Sequence, residues 1–222
     1  MKKPVFYTEL AYFLGELTLA IGTAMMEKGG FGLSMVVAPA YVLHLKVSQF
    51  LPFFTFGMAE YTFQALVIVL MMLLLRKAKL SYLFSFVTAV FYSLMLDGMI
   101  ALLSILPELG QVARFAMYGG GVVICSLGVA LMFHTYIPQA AYEMFVKEVA
   151  GHFSLPIHKF KTFYDCVSCV IAIVLSFLFF GFMHFEGIGW GTVICALVNG
   201  WLISLWTKLL ENGWKFADRF RK

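Results

Sequence analysis

The stretch LPFFTFGMAEYTFQALVIVLMMLLLRKAK, residues 51–79, is an apolar run that ends abruptly on Arg76, Lys77 and Lys79. A helix of about 20 apolar residues covers the roughly 30 Å of hydrocarbon in a bilayer, and a basic cluster at its end marks the side on which it stops. Inside the run sit Glu60 and, one turn on, Gln64. A carboxylate in hydrocarbon costs several kcal/mol unless it is neutralised, paired or wet. This one stretch therefore points to the class of fold, a membrane helix bundle, and to where its chemistry should be sought.

Working outward, the rest of the chain has the same character. Of the 222 residues, 62% are hydrophobic and 13% charged, against roughly 45–50% and about 25% in soluble domains. Apolar runs long enough to cross fall near residues 6–27, 51–75, 80–106, 112–134, 160–183 and 188–209. Met1-Lys2-Lys3 before an apolar stretch resembles a signal peptide, but Glu9 and Glu16 interrupt its hydrophobic centre, so the stretch reads as a retained first span. Two shorter segments, 31–45 and 137–151, follow the first span of each half. Segment 31–45 follows the breaker Gly29-Gly30-Phe31-Gly32 and is expected to dip into the membrane. Segment 137–151 carries Tyr142, Phe145, Val146 and Val149 against Gln139, Glu143 and Lys147, and is expected to lie along the surface with a Glu143–Lys147 pair.

With the N-terminus inside, every basic residue except Lys28, Lys46 and Arg114 falls on the cytoplasmic side, including Lys147, Lys159, Lys161 and the tail from Lys208 to Lys222. A shift of 106 residues pairs Tyr12 with Tyr118, Gly15 with Gly121, Gly22 with Gly128, Ala24 with Ala130 and Met26 with Met132. It also places 31–45 over 137–151 and Ser93 over Asn199, while a shift of 105 places Glu60 over Asp165. Halves with three crossings each must insert in opposite senses. The expected fold is an all-α, polytopic membrane helix bundle in one domain, 1–222. Six transmembrane spans form two inverted three-span repeats, 6–106 and 112–209, each with a short re-entrant or interfacial helix after its first span, before a basic tail at 210–222.

The acids inside spans are Glu9, Glu16, Glu60, Asp97 and Asp165, and the sequence places no lysine or arginine well inside a span to pair with them. An excess of carboxylates points to protonated acids or to a cation site. Glu60 with Gln64, and Asp165 with Ser168, are expected to face each other across the bundle. Asp97, Ser93 and Asn199 form a candidate polar seam, and Glu16 shares a face with Tyr12. Two bland readings stand beside these: acids that tie helices together, and an interfacial Asp165 held by Lys161. Glu9 reads as interfacial, as do His134, His152, His158 and His184. Cys166 and Cys169 are C-x-x-C in spacing but lack further ligands nearby, and Gly119-Gly120-Gly121 follows no strand, so no metal, redox or nucleotide signature emerges. No nucleophile, base and oxyanion donors occur at recognisable spacing, so the chain is read as a non-enzyme without cofactors.

The stretches Gly32–Tyr41, Phe56–Tyr61 and Lys159–Asp165, with Gly191-Thr192 and Asn199-Gly200, resemble YczE/YitT-type bacterial membrane proteins, a family largely uncharacterised. The positions after Asp165 depart from it, carrying Cys166, Ser168 and Cys169 where the family is often glycine-rich. The resemblance implies a bacterial inner-membrane protein with transport often supposed, and supplies no substrate. The expectation is a secondary transporter of a small cationic or proton-coupled solute, its site built from Glu60, Asp165, Gln64, Ser168, Asp97, Ser93, Asn199 and Glu16. The alternatives are an accessory or scaffold protein that uses segment 137–151 and the basic tail, and a channel. The expected partners are the solute or ion and membrane lipid, with no nucleic acid. Gly and Ala on membrane helices are also compatible with a homodimer.

Overall fold

In the computed structural model, described for residues 3–138, 140–182, 185 and 187–219, the chain folds into helices joined by short turns. Lys2, Gln139, His184, Arg221 and Lys222 lie outside the described residues, as does the side chain of His158. The elements are β1 (Val5–Tyr7), α1 (Thr8–Gly29), α2 (Ala38–Val47), α3 (Phe56–Leu75), α4 (Leu80–Ser104), α5 (Gln111–Phe133), α6 (Ala141–His152), α7 (Ile157–Phe180), α8 (Trp190–Gly213) and β2 (Lys215–Ala217). Among the described residues, five helical stretches are long and apolar enough to cross a membrane: Phe56–Leu75, Phe84–Ser104, Gln111–Phe133, Lys159–Phe180 and Trp190–Gly213. Of the apolar runs read from the sequence, the first, now α1, is not among them. Its 22 residues give about 33 Å of helix, but Glu9, Glu16, Glu27 and Lys28 dilute its apolar character.

Helix ends follow local chemistry. Gly30 closes α1 in the left-handed region, φ 70°, and returns its N–H to the carbonyls of Met26 and Glu27. Thr55 caps α3 by accepting from the Met58 N–H at 3.1 Å. Asp97 reinforces that cap from α4, accepting from the Thr55 hydroxyl at 2.6 Å and the Gly57 N–H at 2.8 Å.

The closest helix pair is α1 with α5, and glycine makes it possible. A Cβ on Gly22 would stand 2.7 Å from the Gly121 carbonyl, and one on Gly128 would stand 2.9 Å from the Gly15 carbonyl. Gly29 meets the Arg114 carbonyl and Tyr118. As residue numbers rise along α1 they fall along α5, so the two helices run antiparallel with a glycine contact every seven residues. Only a bare backbone allows such an approach.

Around this pair, α4 packs on α1 and α8 on α5; α2 packs on α3 and α7, and α6 on α7 and α3; α4 also meets α3, and α8 meets α7. These contacts map onto one another when the halves are exchanged, whereas the contact of α4 with α6 has no counterpart of like extent between α8 and α2. Strand β1 pairs in parallel with β2, Val5 opposite Lys215, so the two chain ends lie at one end of the bundle, the terminal end. The α3–α4 turn joins them there, since Thr88 near the start of α4 bonds Tyr12 near the start of α1. At the opposite end Lys28 reaches the Leu106 carbonyl and Arg114 the Gly29 carbonyl.

Both short segments penetrate the bundle. Leu33, Met35, Val36, Val37 and Ala38 are buried before α2 turns outward. Segment 137–151, expected along the surface, is inserted instead: Ala141, Tyr142, Glu143, Met144, Phe145 and Val146 are all buried. The Glu143–Lys147 pair does not form, because Glu143 faces inward and Lys147 is exposed. The amphipathic pattern recorded protein on one side and the bundle rim on the other; a helix buried by its neighbours gives the same periodicity as one floating at an interface.

Candidate functional site

The inner end of α6 is held from α3. The backbone N–H of Ala141 donates to Gln64 Oε1 at 3.1 Å. An N–H can only donate, which fixes the orientation of the amide, so Gln64 Nε2 donates to Glu60 Oε1, at 3.4 Å. Glu60 is fully buried, and its second oxygen has no hydrogen-bond partner. The Tyr142 hydroxyl, on the first turn of α6, lies beside this carboxyl.

Glu60 and Gln64 face a cavity of about 40 Å³ at the middle of the bundle, between the inner ends of the two inserted segments. Ser34, Val36 and Val37 supply one wall and Ala140, Tyr142 and Glu143 the other. Thr23 and Tyr92 join across it through their hydroxyls, 3.1 Å apart. Asn199 of α8 and Lys161 of α7 complete the polar lining. A polar cavity of this size holds a water or two, or one small ion.

Lys161 is the principal correction to the sequence reading, which left the buried acids without a cation. Its Nζ donates to Asp165 Oδ1 at 2.6 Å, one turn on, and the two side chains are only 10% and 9% exposed. Asp165 therefore reaches the cavity through Lys161 and does not face Glu60 directly. The reading of Asp165 as held by Lys161 named the right partner, and the pair is buried against protein. The residues that sequence reasoning missed as site members are Lys161, Glu143, Tyr142, Tyr92, Thr23 and Ser34. The signal available for Lys161 was its spacing of four from Asp165, and for Glu143 its place on the first turn of an inserted helix.

The other candidates divide. Asn199 lines the cavity. Glu16 is 2% exposed with neither carboxylate oxygen hydrogen-bonded, close enough to feel the charge of Glu143. Ser93 spends its hydroxyl on the Ala89 carbonyl of its own helix, 2.7 Å away. Asp97 stands at the rim, capping α3, so no Ser93–Asp97–Asn199 seam forms. Ser168 is buried but faces an apolar groove beside Tyr164. Glu9 lies at the terminal end, accepting from the Tyr136 hydroxyl and the Arg219 N–H, each at 3.0 Å.

The electrostatic sum of the site is uneven. Among the described residues, Glu60, Glu143 and Asp165 stand against the single ammonium of Lys161, with Glu16 behind them. Lys161 satisfies one carboxylate, so the rest must carry protons or share a cation. The arrangement can hold a proton or a small cation among buried side chains.

The sequence model of a family described as "Family of unknown function (DUF6198)" matches residues 6–208, from β1 into α8. No curated protein and no solved structure matches the chain.

Proposed function

The chain belongs to the DUF6198 family, whose function is unknown, and we propose that it is a secondary transporter that couples a small solute to movement of a proton or another small cation. The observation that carries this reading is the closed central cavity with more carboxylates than cations, set where two inserted segments meet from opposite ends. Transporters built from inverted repeats bind near the membrane midplane, between broken or inserted helices whose inner ends face the ligand.

The proposal includes six crossings in two inverted repeats. Supporting it, β1 and β2 are paired at one end, so an even number of crossings separates them; α1 added to the five apolar spans makes six. The helix contacts that exchange between the halves, all of the main ones but α4 with α6, and the antiparallel α1–α5 pairing fit the same plan. The terminal end carries Lys3, Arg76, Lys77, Lys79, Lys147, Lys215 and Arg219, against Lys28, Lys46 and Arg114 opposite, which favours both termini in the cytoplasm of a bacterium. The proposal also takes in the likeness to YczE/YitT-type proteins, because the stretches that carry it, 32–41, 56–61 and 159–165, hold Ser34, Glu60 and Lys161.

The scaffold reading has less support, since α6 is buried and the tail is tied down as β2. A channel would need a continuous path, whereas this cavity is closed.

The test is reconstitution in proteoliposomes under an imposed proton gradient, with amines, amino acids and monovalent cations offered in turn. One solute class is expected to dissipate the gradient, and Glu60→Gln is expected to abolish that flux while leaving the melting temperature unchanged or higher. Wild-type flux in the Glu60→Gln variant would remove the central acid from the mechanism.

A further inference from the structure

Away from the central cavity, the flank formed by α3, α6 and α7 carries an apolar groove of about 420 Å³. Leu70, Leu74, Phe145, Val149 and Phe163 line it, and α6 is the element that joins α3 to α7 there. At the terminal end the groove adjoins a second pocket of about 300 Å³, lined by Lys77, Lys79, Lys147, Glu148 and His152. The two share the last turns of α3 and α6: Leu74 and Val149 belong to the groove, Leu75 and Gly151 to the pocket. Within the pocket Lys79 is held by Glu148 at 2.6 Å, while Lys77 and Lys147 are exposed and form no ion pair with a described residue. The pocket is left with a surplus of positive charge over the end of an apolar furrow.

We propose that groove and pocket together form a site for one anionic phospholipid, its acyl chain along α3 and α7 and its phosphate against Lys77 and Lys147. Charge and polarity vary along the site as they vary along such a lipid, and each half alone lacks what the other supplies. Basic pockets on the cytoplasmic side, between membrane helices, recognise anionic headgroups because the ammonium groups sit at phosphate depth. The occupant would brace the outer turns of α6, the helix whose inner turn carries Tyr142 and Glu143 into the central cavity. This site stands whether or not the transport reading holds.

The experiment is a thermal melt of the delipidated protein in neutral detergent, titrated separately with phosphatidylglycerol, with phosphatidylcholine of the same acyl chains, and with inorganic phosphate. Phosphatidylglycerol is expected to raise the midpoint by about 2–4 °C, as a bound ligand does for a chain of this size, and the other two to leave it unchanged. The shift should vanish in Lys77→Gln/Lys147→Gln. It should also vanish in Leu70→Trp, which fills the groove from an exposed position and serves if the double variant does not fold. Equal shifts from phosphatidylcholine, a full shift from inorganic phosphate alone, or an undiminished phosphatidylglycerol shift in a folded variant would each overturn the proposal.

Discussion

Lys161 and Asp165 bury opposite charges 2.6 Å apart on successive turns of α7, and removing either one strands the other. Breaking a buried pair from one side costs about 3–5 kcal/mol, whereas replacing both partners with apolar groups of similar volume is often neutral. Lys161→Met and Asp165→Leu alone are therefore expected to lower the melting temperature sharply, and the double variant to recover most of the loss. Equal losses in single and double variants would show that the pair is not coupled. At this scale the sequence was half legible. Glu60 and Gln64 stood out because a polar side chain in an apolar run is rare, and both line the cavity. Lys161 did not, because Lys159 beside it made the segment look like a cytoplasmic rim. Asp97 misled for a related reason: hydropathy reports that an acid lies in a span, not that a neighbouring helix end waits to be capped there.

Helices were read well and the depth of the short ones was not. All six long segments appear as helices near their expected bounds, and five of them, all but α1, are long and apolar enough to cross. Whether α6 lies on the surface or inside depends on what α3 and α7 offer it, which its own periodicity does not encode. The α1–α5 contact gives a sharp test at this scale. Gly22→Val drives a branched side chain into the Cys125 N–H and the Gly121 carbonyl, both under 3 Å from its Cβ, whereas Gly119 has open space around it. Gly22→Val should destabilise by at least the 1–3 kcal/mol typical of overpacking, and Gly119→Val should cost roughly nothing; similar melting temperatures for the two would refute the close approach. The turn between α3 and α4 carries a pH test. The Lys79–Glu148 bond raises the lysine pKa; burial alone would raise that of Glu148, but the bonds from Lys79 and Tyr82 outweigh it and leave the carboxyl below its ordinary range. The stabilising contribution is then full above the ordinary carboxylate range and fades as pH falls through the lowered value; it would fade again as pH rises through the raised lysine value. The melting-temperature gap between wild type and Glu148→Gln should be flat from about pH 6 to about pH 9 and close below about pH 4. A gap that persists in acid would mean the bond is not the cause.

For the whole molecule, the proposed inverted repeat has a consequence for motion. At the terminal end, Thr88 of α4 donates to the Pro138 carbonyl at 3.1 Å and shares a 2.7 Å bond with the Tyr12 hydroxyl of α1, shutting the entrance beside the second inserted segment. At the other end Gly191 of α8 donates to the Phe31 carbonyl at 2.9 Å and packs against Tyr118, which the 106-residue shift pairs with Tyr12, beside the first inserted segment. In the proposed inverted repeat each contact joins the third long helix of a half to the first, beside an inserted segment, which would make the two equivalent closures of one compartment. If the halves rock about the α1–α5 pair, one seal opens while the other holds. Weakening a single seal should then bias exposure toward that end alone. In a background with the four native cysteines replaced, Val129→Cys puts a thiol on the cavity wall. Adding Thr88→Val removes both terminal-end hydrogen bonds, and labelling of that thiol by a membrane-impermeant reagent should rise several-fold from the terminal side and fall from the opposite one. A rise from both sides would describe a leak through a loosened bundle, and no change from either would mean that these contacts are packing without gating, which would leave alternating access without a moving part.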